Sequence, residues 1–150
     1  MAARSTIGTI VSLALLAAAS PAAADRQPVE MDETTADRLA NNRGLTLQWI
    51  SWDQRGHAQA RSGSDGLYLT GSQVDPEKPG AVFLDGKVTA AGPDWFTFEG
   101  LIRITHTPDE GRTCEANKTW HFAITQNRKY YRLREFEWCD GLTDYIDIYF

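Results

Sequence analysis

Side chains that could act as acid or base catalysts are concentrated near the end of the chain. Five carboxylates occur there within a short stretch, at Glu135, Glu137, Asp140, Asp144 and Asp147. Glycoside hydrolysis requires two carboxylates at a separation set by the mechanism. The same acids are also able to form ion pairs across strands with Arg103, Arg132 and Arg134. We expect ion pairing, and we therefore assign no catalytic residue and predict that the protein is not an enzyme.

Metal binding and nucleophilic catalysis are not favoured by the spacing of the other reactive residues. No H-x-H or H-x-x-x-H pair links His57, His106 and His121, so we predict no metal site and no cofactor. The segment 62–66, Ser-Gly-Ser-Asp-Gly, resembles a serine hydrolase loop in composition. It lacks the flanking strand and helix of a nucleophile elbow, and it is typical of a turn.

Aromatic side chains are the better candidates for a binding surface. Trp52, Tyr68 and Trp95 lie off the alternation that their own strands use for the core. If they share one exposed surface, they form an apolar patch of the kind that marks a binding site. The alternative is that they pack beneath the helix or the loops. We name all three as candidate ligand-binding residues, with Trp52 and Trp95 as the pair expected to contact a glycan or a lipid-like molecule.

The strands that position these residues are predicted from a sequence pattern that occurs three times, at 67–71, 82–86 and 96–100. Each copy reads apolar, any, apolar, polar, glycine. Apolar residues two apart share one face of a strand, so each copy predicts a half-buried strand. The short interval between copies fits one strand plus one turn, because a strand-helix-strand unit needs about 30 residues. An antiparallel meander follows.

The glycines that end the three copies, Gly71, Gly86 and Gly100, are predicted structural positions. A glycine inside a continuing strand pattern marks a bend or bulge that curves a sheet. Asp85-Gly86 could instead form a hairpin turn. The parity of Val82, Leu84 and Val88 continues past Gly86, which favours one bent strand.

Secondary structure elsewhere is predicted from the same alternation. Asp32 can cap a helix over residues 33–43 that Gly44 terminates. The other strands are expected at 45–49, 57–61, 120–124, 130–138 and 145–150, and 107–118 is expected to be the longest loop. The predicted fold is all-β: one antiparallel meander barrel or sandwich of about eight strands with one short N-terminal helix. The expected aromatic core is Trp49, Phe96, Phe98, Trp120 and Phe122.

The first residues have the features of a secretory leader. One arginine, Arg4, precedes an apolar run over residues 7–19, and an A-x-A site precedes Asp25. We predict a cleaved signal peptide over 1–24, a flexible tail over 25–31 and a single β domain over 32–150. The protein is then periplasmic or secreted, without a membrane anchor after cleavage.

Charge and cysteine usage agree with that expectation. The net charge is −5, and it becomes one unit more negative when Arg4 is removed, which argues against a nucleic-acid partner. Cys114 and Cys139 are the two cysteines, and in an oxidising compartment they are expected to form a structural disulfide. Closing that loop should stabilise the fold by about 3.5 kcal/mol in the chain-entropy model.

Two stretches carry a resemblance to known proteins. The residues 44–52, GLTLQWISW, and 143–150, TDYIDIYF, resemble a group of small exported proteins of alphaproteobacteria. That resemblance implies export but no activity. Thr143-Asp144-Tyr145 is also similar to a motif between two late strands of lipocalins, although here it leads into the last strand. The Gly-x-Trp of a first lipocalin strand has no counterpart, because Gly44 lies five residues before Trp49.

Taken together, these features predict an exported, monomeric, non-enzymatic module that binds an unknown small molecule, an amphiphile or glycan, or has a structural role in the cell envelope. One alternative is an inhibitor or interaction protein that acts on another exported protein through a rigid loop at 107–117, held by Cys114, or through an ordered N-terminal arm. The other is a hydrolase that uses the C-terminal carboxylates. A hollow barrel interior would favour binding, and a packed one would confine any ligand to the surface.

Overall fold

The computed structural model describes residues 30–150. The predicted leader over 1–24 and residues 25–29 of the predicted tail lie outside this range. The elements are α1 (Glu33–Ala40), β1 (Leu45–Leu47), β2 (His57–Gly63), β3 (Gly66–Val74), β4 (Ala81–Gly92), β5 (Trp95–Thr105), β6 (Thr113–Ala123), β7 (Tyr130–Leu133) and β8 (Ile146–Tyr149).

All eight strands belong to one sheet, in the order β1-β8-β7-β6-β5-β4-β3-β2. Each pair of neighbours is antiparallel. The sheet curls into a nearly closed barrel, with β1 and β2 on either side of the remaining gap. The all-β prediction with one short helix is confirmed, and the architecture is the barrel. The last strand lies inside the sheet, between β1 and β7.

One buried side chain on β3 joins the edge strand β1 to the segment that precedes the other edge strand, β2. Gln73 on β3 accepts a hydrogen bond from the backbone N–H of Leu47 at 2.6 Å and donates one to the carbonyl of Gln54 at 2.7 Å. The backbone N–H of Gly56 donates to the carbonyl of Leu45 at 2.8 Å. These bonds satisfy backbone groups that a strand ladder would otherwise pair.

The three-glycine pattern falls within continuous strands. β4 passes through Gly86 and β5 passes through Gly100, so the hairpin alternative at Asp85-Gly86 is wrong. Gly86 and Gly100 are directly opposite each other in the β4–β5 pair, and Gly71 is opposite Leu84 in the β3–β4 pair. The neighbouring strands β4 and β5 therefore face each other at two glycines, Gly86 and Gly100, in the middle of the sheet.

Side chains fill the interior of the barrel. Phe96 stacks on Phe122 with ring centroids 4.8 Å apart, and Tyr131 meets Phe96 edge-on at 5.2 Å. Phe98 and Trp120 are also fully buried. Four of the five expected core aromatics are thus in the core. Trp49 is the exception, because β1 ends at Leu47 and leaves Trp49 half-buried in the following turn.

The helix α1 begins as predicted and ends earlier than predicted. The Asp32 carboxylate accepts from the backbone N–H of Thr35 at 2.9 Å and caps the helix. The helix stops at Ala40, not Arg43, because the Asn42 side chain donates to the carbonyl of Leu39 at 2.8 Å and takes the place of a further helical turn.

α1 is fixed across one end of the barrel by the side chain of Thr35. The Thr35 hydroxyl donates to the carbonyl of Gly92 at 2.6 Å and lies 2.9 Å from the Tyr131 hydroxyl. Leu39 from the next turn is fully buried. The helix therefore covers the end of the barrel at which β4 turns into β5.

Two strand boundaries differ by several residues from the sequence prediction. β6 begins at Thr113, so Cys114 and residues up to 118 belong to a strand rather than to the predicted loop. The polar residues Thr113, Glu115 and Asn117 point to solvent, while Cys114 is buried opposite Ile104 in the β5–β6 pair. β7 ends at Leu133 instead of Trp138, and the chain then leaves the sheet after Arg134 donates to the carbonyl of His121.

Cys114 and Cys139 form the predicted disulfide, which joins β6 to the segment that follows β7. In protein recovered from an oxidising compartment, thiol titration under denaturing, non-reducing conditions is expected to find no free thiol. The Cys114→Ser, Cys139→Ser variant should lose up to about 3.5 kcal/mol of unfolding free energy. Two reactive thiols in the untreated protein would contradict the bridge.

Candidate functional site

A pocket with a mostly apolar lining lies at the end of the barrel, between α1, the β2–β3 hairpin and β4. It has a volume of about 370 Å³. Its apolar lining comes from Met31, Ala36, Leu67 and Val88. Its polar lining comes from Ser62, Asp65, Lys87 and Thr89. Mostly apolar walls with a few polar groups are typical of small-molecule sites.

A strand irregularity and an extended segment shape this pocket. The β4–β5 register shifts between Val88 and Ala90, which makes Thr89 the residue of a β-bulge. Met31 forms a parallel bridge with Ala91, and the N–H of Asp32 donates to the carbonyl of Ala91 at 2.9 Å. The segment before α1 is thus fixed to the end of β4, with Met31 in the wall of the pocket.

Met31 also lines a second cavity on the other side of this segment. That cavity has a volume of about 620 Å³ and includes Glu30, Ala90, Pro93 and Trp95. An apolar ligand could therefore contact both faces of Met31. Methionine suits such a position because its flexible thioether adapts to ligands of irregular shape.

The rim of the first pocket carries an ion pair. The Lys87 ammonium lies 3.2 Å from the Asp65 carboxylate, and the Tyr68 hydroxyl donates to Asp65 at 2.7 Å. The hydrogen bond from Tyr68, followed by that from Lys87, lowers the pKa of Asp65 below its ordinary value. The bond to Asp65 raises the pKa of Tyr68. The charged side chains of Asp65 and Lys87 therefore lie at the rim, beside an apolar floor.

The three predicted ligand-binding aromatics are all exposed, but they are not brought together. Trp52, Tyr68 and Trp95 have exposed fractions of 43%, 42% and 45%, so none packs beneath the helix. Trp52 lies over the guanidinium of Arg132 at 5.6 Å. Tyr68 joins the rim of the first pocket through Asp65, and Trp95 lines the second cavity. The single shared patch is not formed.

Two of the C-terminal carboxylates bind one buried arginine. Arg112 makes two hydrogen bonds to Asp144, at 2.9 and 2.8 Å, and two to Asp140, at 3.0 and 2.8 Å. Asp144 is fully buried, and it also accepts from the Trp49 indole N–H at 2.9 Å. The hydrogen bonds to Asp144, followed by those to Asp140, raise the pKa of Arg112 above its ordinary value. A carboxylate occupied in this way is a structural group.

Two of the remaining acids of the cluster, Asp147 and Glu135, are paired differently from each other. Asp147 is fully buried and accepts from Arg132 twice, each at 2.7 Å, while burial raises the pKa of its carboxyl. Glu135 binds the ring and backbone N–H of His121. Burial alone would raise the pKa of Glu135, but those hydrogen bonds lower it. Of the three expected arginine partners, Arg132 pairs within this cluster, Arg103 pairs with Glu115, and Arg134 lies 5.9 Å from the Phe136 ring instead of in an ion pair of the described residues.

The histidines do not converge. Within residues 30–150, the only group with metal-ligand geometry is Cys114, Cys139 and Asp140, in which both sulfurs are bonded to each other. His106 accepts from the backbone N–H of Gly111 at 3.0 Å, in the turn before β6.

Sequence reasoning did not single out Met31, Asp65, Lys87 or Arg112. The β3–β4 register places Tyr68 opposite Lys87, so knowledge of strand pairing would have associated these two residues. Arg112 carries no such signal, because it lies in a polar turn and its partner Asp144 follows 32 positions later.

Comparison with known proteins identifies relatives but no activity. The model of the PM1083 family matches residues 27–150. The chain is similar to a Pasteurella multocida (strain Pm70) protein described as "Uncharacterized protein PM1083", with 35% identity over 117 residues, 76% of this chain and 74% of the relative. No solved structure matches the chain. In the described residues, no helix has the length and apolar character needed to cross a membrane.

Proposed function

The chain belongs to the PM1083 family, and we propose that it is an exported, non-enzymatic protein that binds the apolar part of a small amphiphile at the end of its barrel. Export rests on the leader-like residues 1–24, and a disulfide is consistent with an oxidising compartment. In this proposal it acts in the periplasm or outside the cell, as a monomer and without a nucleic-acid partner.

The observation that carries the proposal is the pocket between α1 and the β2–β3 hairpin. Its floor is apolar, and an Asp65–Lys87 ion pair lies at its rim. An amphiphile would place its chain against Met31 and Val88 and its polar group beside the ion pair. Because aromatic side chains fill the barrel interior, the ligand would be held at the end of the barrel.

Filling the pocket tests the proposal. Ala36→Phe adds a ring to the pocket wall, whereas Ala40→Phe places the same ring on an exposed position of the same helix. We expect the native protein and Ala40→Phe to bind cis-parinaric acid, a fluorescent fatty acid, saturably. Ala36→Phe should bind at least about tenfold more weakly. Equal affinity of both variants, or no saturable binding by the native protein, would contradict the site.

The inhibitor alternative is supported by the loop between β5 and β6. Residues 108–111 are exposed, and both ends of the loop are fixed. The N–H of His106 donates to the carbonyl of Arg112 at 2.7 Å, and Arg112 donates to the carbonyl of Thr107 at 3.1 Å. A rigid, exposed loop suits a protein partner, because little conformational entropy is lost on binding.

A further inference from the structure

A third cavity differs from the two already described in its charge. It has a volume of about 490 Å³ and is lined by four cationic side chains together with two aromatic ones. The cations are Arg38, Arg43, Arg55 and Lys129. The aromatic residues are Tyr149 and Phe150. We call this site the basic cavity.

The four cations come from separate parts of the chain, and close backbone packing brings two of them together. Arg43 and Arg55 each precede a glycine. Gly44 has φ of +93°, and a Cβ there would overlap the carbonyl oxygen of Gly56. Only glycine combines this backbone conformation with so close an approach. The two segments can therefore cross with their arginines on the same side.

The end of β8 and the following Phe150 contact the side chains of two of these residues and the backbone of the other two. The N–H of Arg43 donates to the carbonyl of Tyr149 at 2.8 Å, and the Arg55 guanidinium lies 3.9 Å above the Tyr149 ring. The Arg38 guanidinium lies 4.5 Å above the Phe150 ring, and the N–H of Phe150 donates to the carbonyl of Lys129 at 3.2 Å. Stacking on a ring orients a guanidinium and leaves the N–H edge of Arg55 available to bind, whereas Arg38 also donates through one N–H to the carbonyl of Pro93 at 2.8 Å.

Most of this positive charge is not neutralised by carboxylates. Among residues 30–150, Arg43, Arg55 and Lys129 have no side-chain carboxylate within 4.0 Å, and Arg38 has Asp94 at 3.7 Å. The chain as a whole has a net charge of −5. Four cations around one cavity, in a protein with excess acid, make a local field that attracts an anion.

We propose that the basic cavity binds a phosphate group, carried by a free phosphate ester or by a lipid headgroup. Guanidinium edges match the oxygens of a phosphate in bidentate hydrogen bonds. A phosphate ester carries nearly two negative charges at neutral pH, which suits several cations better than one. The cavity has room for the esterified group beside Phe150. This site lies apart from the apolar pocket and does not depend on the amphiphile.

The test uses two double variants with the same change in net charge. Arg43→Gln, Arg55→Gln removes two cations of the basic cavity. Arg61→Gln, Arg134→Gln removes two exposed arginines that do not line it. Inorganic phosphate is titrated at constant ionic strength, and the rise in Tm reports binding. Separately, vesicles of phosphatidylcholine, with and without phosphatidic acid, are tested by flotation.

We expect saturable binding of inorganic phosphate or of the phosphatidic acid vesicles, at least about tenfold weaker in Arg43→Gln, Arg55→Gln and unchanged in the control pair. Binding of free phosphate identifies a soluble ester as the source, and binding of the vesicles alone identifies a headgroup. If the cavity pair does not fold, Lys129→Gln replaces it, with a weaker loss expected. Absence of both kinds of binding, or equal losses in both pairs, overturns the proposal.

Discussion

Replacing Arg112 with methionine is expected to lower the free energy of unfolding by about 4 kcal/mol, because it leaves a buried carboxylate without its cation. Arg112 has a side chain only 5% exposed, and its partner Asp144 is fully buried. The Trp49 indole would be the remaining side-chain donor to Asp144. Urea unfolding followed by tryptophan fluorescence measures the loss.

Two further variants separate burial from charge. Arg103→Met breaks an exposed pair with Glu115, in which the side chains are 45% and 51% exposed, and should cost less than about 1 kcal/mol. Combining Arg112→Met with Asp144→Leu removes both buried charges and should recover part of the stability. An Arg112→Met protein as stable as the native one would show that the ion network is not needed for folding.

The ion pairs of Arg112 account for two of the acidic residues in the C-terminal region. Arg112 fixes the turn before β6 to the segment between β7 and β8, and the Cys114–Cys139 disulfide joins the same two regions. That segment has almost no strand pairing, so ion pairs and a covalent bond replace backbone ladders there. Their ion pairs with Arg112 thus give Asp140 and Asp144 a structural role.

The barrel was predictable where one face of a strand is apolar and the other polar. β4 and β5 follow this alternation on both sides of their glycines, and both strands are found nearly as predicted. β6 was missed at its start because Cys114 and Ala116 are its only inward residues there, and both are small. Alternation alone identifies a strand only when large apolar residues mark the inner face.

The candidate sites were less predictable, because their residues come together only through strand register and loop packing. Tyr68 and Lys87 belong to two strands whose pairing the sequence does not state, and Asp65 lies in the turn that precedes the first of them. Arg43 and Arg55 lie beside each other because Gly44 and Gly56 cross, which is a long-range contact. The exposure of Trp52 and Trp95 agrees with their position off the core alternation, but alternation carries no information on which neighbour covers them.

Replacing Gly100 with valine is expected to cost about 4 kcal/mol, the second large effect. A Cβ at Gly100 would lie 2.5 Å from the Cα of Gly86 and closer still to the carbonyl oxygen of Asp85. Both are backbone atoms of the paired strand, so neither can move without breaking the β4–β5 ladder. Gly100 also accepts a hydrogen bond at 2.9 Å from the buried indole N–H of Trp120, which a backbone shift would disturb. Overpacking usually costs about 1–3 kcal/mol, and weakening the hydrogen bond from Trp120 raises the expected loss of unfolding free energy to about 4 kcal/mol.

The matched control for Gly100→Val is Glu99→Val, which adds the same side chain at the next position of β5, where it points to solvent. Valine suits an exposed strand position, so this variant should stay within about 1 kcal/mol of the native protein. Thermal and urea unfolding of both variants measure the difference. Because valine itself is tolerated at Glu99, a large loss only at Gly100 would be due to the close approach of β4 and β5. If the Gly100→Val protein melted at the native temperature, the two strands could not lie as close together as Gly86 and Gly100 require.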